Sequence, residues 1–155
     1  MQVDKGRMSF PRAQPTPGIC REDVRADGPL AIIATGRGDV PNQVNNVLGF
    51  PFIFRGAIDV RARKINMEMK VAASEALATL ARQEVPEYIH HLYDTHVEFG
   101  REYLIPKPFD KRLIVEVSSA VAAAALHTGS STLSGFDINE YKEELAKRVC
   151  VDCDD

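Results

Sequence analysis

"LAIIATGRGDVPNQVNNVLGFPFIFRGAIDVRA", residues 30–62, joins a short apolar run to a knot of amides and then to the most apolar segment of the chain. Leu30–Thr35 has the length of a strand and ends at Gly36. The flanking Gly and Pro favour a strand buried on both faces over a helix. Gly36-Arg37-Gly38-Asp39 then forms a loop at the carboxyl end of that strand. In open α/β sheets ligands sit at that end. Asn42, Asn45 and Asn46 follow Pro41, spaced too closely for an ordinary turn, and run straight into Val47, Leu48, Phe50, Phe52, Ile53 and Phe54. An asparagine amide offers two donors and an acceptor without charge, so it can bind a carboxylate or carboxamide beside a hydride-transfer centre. It also bonds readily to nearby backbone, so the same residues can instead hold an irregular loop. Gly49 and Gly56 permit close backbone packing, and the apolar residues after the knot are expected to floor a site.

The chain around this stretch is globular in composition. At 155 residues, with 45% apolar and 26% charged residues, it is one ordinary domain. A net charge of -3 argues against a nucleic-acid partner, which needs a basic face. No apolar run reaches membrane-spanning length, and residues 1–15 lack the apolar core of a signal peptide. Three cysteines, an odd number, point to a reducing compartment. The expectation is a cytoplasmic protein.

Residues 1–18 are rich in Pro and Gly and read as an irregular arm or a damaged strand. A short helix is expected over Arg21–Ala26. Asn66 is placed to cap a helix over Met67–Gln83, with Ile65, Met69, Ala73, Ala76 and Leu80 as one buried stripe and Pro86 closing it. Another short helix falls within residues 87–104, carrying or adjoining His90, His91 and His96, before the elbow Ile105-Pro-Lys-Pro108. Alanine-rich Leu113–His127 reads as a buried helix with Gly129 beyond its end. The last helix spans about Ile138–Val149, with Asp137 as N-cap, Glu140 at the reciprocal position, and Ile138, Tyr141, Leu145 and Val149 inside. One strand cannot form a sheet, so it either pairs with a partner chain or belongs to a larger domain.

Other candidate chemistry is sparse. Cys150-Val-Asp-Cys153 lacks the second ligand pair a structural zinc needs, and it ends the chain instead of opening a helix. His91 and His96 are five apart, off the one-face helical spacing, which favours a solvated cluster over a metal site. No GxGxxG, P-loop or GxSxG is present.

Ile33-Ala-Thr-Gly-Arg-Gly-Asp39, Pro41-Asn-Gln-Val-Asn-Asn46, Gly49-Phe-Pro-Phe-Ile-Phe-Arg-Gly56, Ile65-Asn-Met-Glu-Met-Lys70 and Phe99–Ile114 closely resemble the bacterial malic enzymes. Members of that family oxidise malate with NAD or NADP and decarboxylate it to pyruvate and CO2, using Mg or Mn. The resemblance implies an α/β chain, a partial Rossmann-like domain of few strands and about four helices. Residues 13–149 would be the C-terminal part of the NAD(P)-binding domain, between an irregular arm over 1–12 and a tail over 150–155. It also implies that Asn45 and Asn46 meet the substrate carboxylate beside the nicotinamide, that Thr35, Gly36 and Asn45 border the cofactor, and that the apolar run is a helix buried behind the site. An uncharged amide suits that place, since it binds a carboxylate without repelling the positive nicotinamide ring. Gln14 stands where the family carries a substrate-contacting asparagine, and its extra methylene displaces the amide by about one bond length. Gly38 and Val40 replace the usual Ser and Tyr. The family's tyrosine acid, lysine base, metal ligands and glycine-rich loop have no counterpart in these residues, so no catalytic residue and no metal ligand is assigned. A fragment inactive alone is therefore expected, completed by a missing N-terminal half; the alternative is a non-catalytic partner docking on an intact malic enzyme subunit.

Overall fold

The computed structural model describes residues 8–9, 32–36, 38 and 41–149. Gln14, the helix expected over Arg21–Ala26, and the Cys150–Cys153 pair lie outside them. Strand β1 (Met8–Ser9) pairs in parallel with β2 (Ile32–Ile33), Met8 opposite Ile32 and Ser9 opposite Ile33. Within the stretch read as a strand over Leu30–Thr35, Ile32–Ile33 finds its partner inside the chain, in the arm read as irregular or as a damaged strand. Ile33, Ala34 and Thr35 are buried, as the apolar run requires.

Among the described residues five α-helices follow: α1 (Phe50–Asp59), α2 (Met67–Ala81), α3 (Glu87–Tyr93), α4 (Arg112–His127) and α5 (Ile138–Val149). The whole is a partial Rossmann-like α/β arrangement in which helices dominate. Helix α4 is the axis of the core, with α1, α2 and α5 all packed on it. Its alanines make this possible: Ala122 and Ala125 are fully buried, and short side chains let neighbouring helices close in. The tightest approach is at Gly56 in α1. A Cβ there would lie 2.3 Å from the Ser118 carbonyl oxygen, so only glycine fits this crossing.

Local signals set the helix ends. Asn66 caps α2 by accepting from the Met69 amide at 2.9 Å. Its Nδ2 donates to Thr128 Oγ1 and Ser130 Oγ, both at 2.8 Å, tying the start of α2 to the end of α4. Asp137 Oδ1 accepts from the Asn139 and Glu140 amides and starts α5. Gly129, at φ 68, turns the chain after α4. Pro86 does not close α2, which ends at Ala81; with its fixed φ it sits at the N-cap of α3.

Among the described residues, helix α1 is buried on one side only. Pro51 opens it, and Gly56 and Ala57 are buried against α4. The opposite side carries Phe50, Phe54 and Ile58 at 59%, 46% and 69% exposure. Small side chains make the closest contact with α4, Phe52 and Ile53 pack partly against the core, and Phe50, Phe54 and Ile58 face outward. Among the described residues no helix is long and apolar enough to cross a membrane.

Candidate substrate and nicotinamide site

The end of β2 is rebuilt by the chain that follows it. Thr35 forms a parallel bridge with Gln43; its amide donates to Asn42 O at 3.3 Å and its carbonyl accepts from the Val44 amide at 2.7 Å. That fold-back places Gly36, exposed, and the amide segment at one strand end. Thr35 itself is buried.

The three asparagines then separate by role. Asn42 is buried, in a left-handed backbone conformation at φ 57. Its Nδ2 donates to Arg101 O at 2.8 Å and Ile33 O at 3.4 Å, while its Oδ1 accepts from the Leu104 amide at 2.7 Å. It is a latch joining the strand to the 101–104 segment. Asn45 starts a short 3-10 turn over Asn46–Leu48, its Oδ1 accepting from the Val47 amide at 3.0 Å. That bond fixes which end of the amide is used. The Nδ2 group is left as a donor without a partner among the described residues. Asn46 is exposed, and its backbone carbonyl accepts from the Gly49 amide. Thr35, Gly36, Asn45 and Asn46 are therefore held together by one backbone fold-back. Asn42 belongs to the scaffold, and sequence spacing alone could not distinguish it from its neighbours.

The histidines do not converge on a metal. His90 Nδ1 accepts from the Val97 amide at 3.1 Å, and its ring stacks on His96 with centroids 4.4 Å apart. His91 lies on the exposed side, 3.5 Å from Glu87. Among the described residues no group of three His, Cys, Asp or Glu side chains is disposed to hold a metal ion.

A buried polar cluster that the sequence did not signal sits behind the elbow. Asp110 is buried and takes a fork from Arg112, with Nη2 to Oδ2 at 2.7 Å and Nε to Oδ1 at 3.0 Å. Tyr88 donates to Asp110 Oδ1 at 3.2 Å and accepts from the Lys111 amide at 2.8 Å. Burial, then the Asp110 charge, push the Tyr88 phenol up to about 12. Tyr103 is raised to about 12 by the same two causes, and its buried hydroxyl completes no hydrogen bond. The Lys107 amide faces that hydroxyl without hydrogen-bond geometry. The cluster locks α3 to the start of α4 and thereby supports the 101–104 segment that Asn42 grips.

Residues 28–96 match the family described as malic enzyme, NAD binding domain. A probable NADP-dependent malic enzyme of Rickettsia prowazekii is 52% identical over 141 residues, which is 90% of this chain and 18% of the relative. An NADP-dependent malic enzyme of Halomonas elongata is 56% identical over 77% of this chain and 29% of its own length. The crystal structure of malic enzyme from Pyrococcus horikoshii superimposes with a TM-score of 0.74 at 36% identity, covering 90% of this chain and 28% of that one. Over residues 28–96 the chain is therefore similar to the malic enzyme NAD-binding domain.

The chain thus spans less than a third of the length of these malic enzymes. Its described residues bring the amides of Asn45 and Asn46 to the strand terminus that carries the exposed Gly36. Among the described residues no carboxylates are gathered to hold a divalent metal.

Proposed function

We propose that this chain forms part of an NAD(P)-dependent malic enzyme, a cytoplasmic oxidoreductase converting malate to pyruvate and CO2, and that its share of the site is to orient substrate. Relatives named as NADP-dependent and as NAD-dependent are about equally similar, so either dinucleotide is compatible. The observation that carries the reading is the amide of Asn45. Its oxygen is committed to the Val47 amide, which leaves Nδ2 as a pure donor. A donor without charge suits a substrate carboxylate next to a positive nicotinamide ring. Asn46 adds a second exposed amide, and the Thr35–Gly36 backbone borders the cofactor. Gln14, outside the described residues, would stand on the substrate side. Bound NAD(P) would accept the hydride from malate. The Mg or Mn of the complete enzyme would be held by residues elsewhere, as would the acid and base.

Alone, such a site is weak. One or two amides binding a carboxylate in open water gain only about 0.5–1.5 kcal/mol each. In a closed cleft the same bonds fix the reacting carbon, and misplacement by about 1 Å costs roughly a hundredfold. Two measurements test this. Calorimetry of the chain with malate and NAD should show no binding at micromolar strength. An intact homologue carrying the change matching Asn45→Ala should lose most of its kcat/KM; unchanged kinetics would remove the role assigned to the amides.

A second reading rests on the outward face of α1. Phe50, Phe54 and Ile58 recur every four residues and are exposed, a pattern suited to docking on malic enzyme polypeptide as a non-catalytic partner. Co-elution with an intact subunit, lost on Phe54→Glu, would favour it.

A further inference from the structure

Lys107 lies in the elbow between two prolines and is partly buried. Its ammonium sits 4.8 Å from the centre of the Tyr93 ring. No carboxylate pairs with it among the described residues, and burial lowers its pKa. A cation drawn out of water without a counter-charge is costly, and a ring face returns only part of that cost. Both residues line an open cleft of about 580 Å³, with Tyr103 as a further wall and Pro41 closing the side toward β2. Glu98, Arg101 and Glu102 stand exposed at its edge. The floor therefore carries the single positive charge of Lys107, while two carboxylates and one guanidinium stand in water at the rim.

We propose that this cleft is a binding site for a small oxyanion, a carboxylate or a phosphate, with Lys107 as its charged donor. The volume lies within the range of small-molecule sites. An entering oxyanion would give the ammonium the charge-assisted hydrogen bonds that the described residues do not supply. The site is separate from the amides of Asn45 and Asn46. It shares with them the Asn42 latch, whose bonds to Arg101 O and Leu104 N hold the cleft wall against the strand end. The inference stands independently of the malate reading.

The test is isothermal titration of the full chain with inorganic phosphate and, separately, with succinate. Amide chemical shifts of Tyr93, Leu104 and Lys107 are followed in parallel. Saturable binding of either anion is expected with a Kd on the order of millimolar. Phosphate alone or succinate alone would identify the ligand class. Lys107→Met should weaken binding by about tenfold or more, and Lys107→Arg should retain most of it, with circular dichroism unchanged in both. No saturable binding of either anion would overturn the proposal, as would equal affinity in Lys107→Met. Loss of binding in Asn45→Ala with Lys107→Met intact would overturn it too, by placing the anion at the amides.

Discussion

Asn42 and Asn45 are three residues apart and carry the same chemical group, yet the fold spends them differently. Asn42 Oδ1 and Nδ2 bond to Leu104 N, Arg101 O and Ile33 O in a buried setting. Asn42→Ala leaves these groups unpaired and puts alanine at φ 57, so it should cost about 2–4 kcal/mol in urea unfolding. Asn45→Ala removes one bond at the start of a single 3-10 turn and should cost under about 1 kcal/mol. Equal losses would refute the division between scaffold and site. Tyr103 gives a pH test at the same scale. A tyrosine in the unfolded chain ionises near pH 10, whereas burial holds Tyr103 protonated to about 12. Its contribution is complete below about pH 10 and lost as pH rises to about 12, because the unfolded chain gives up the proton first. Tyr103→Phe deletes a hydroxyl without a hydrogen bond, so it should be close to neutral at pH 7 and flatten the fall in melting temperature between pH ~10 and ~12. A fall as steep as in the parent chain would show that the phenol is not held neutral.

At the scale of elements, the helices with strong local signals were legible in the sequence. Asn66 and Asp137 cap the helices their spacing implied, and Met69, Ala73 and Leu80 form the buried stripe of α2. The orientation of α1 was not legible. Its segment is apolar on nearly every side, so periodicity could not say which face turns inward; the decision rests with Gly56, where Ser118 O approaches too closely for any side chain. Gly56→Ala should therefore force α1 and α4 apart and destabilise the chain by about 1–3 kcal/mol, measured by thermal unfolding. An unchanged melting temperature would mean that the crossing is looser than the 2.3 Å approach states. The pairing of β2 was equally hidden, because a two-residue strand at Met8–Ser9 in a polar arm leaves no period to read. The latch function of Asn42 was hidden for a related reason: its partners lie about sixty residues downstream.

At the scale of the whole molecule, a four-helix core around α4 supports a strand end whose chemistry is incomplete among the described residues. The amides sit on a rigid platform, since Asn42 and the Asp110–Arg112 cluster hold the strand end and the elbow from behind. Catalysis of malate oxidation needs a base, an acid and a metal acting together on the substrate that these amides would orient. The most direct test is the appearance of reduced nicotinamide from malate with Mg or Mn present, using the purified chain alone and then mixed with a malic enzyme fragment lacking the matching segment. No turnover is expected from the chain alone, turnover is expected in the mixture, and that turnover should be lost when the chain carries Asn45→Ala. Metal-dependent pyruvate formation by the chain alone, or a mixture indifferent to Asn45, would contradict this reading.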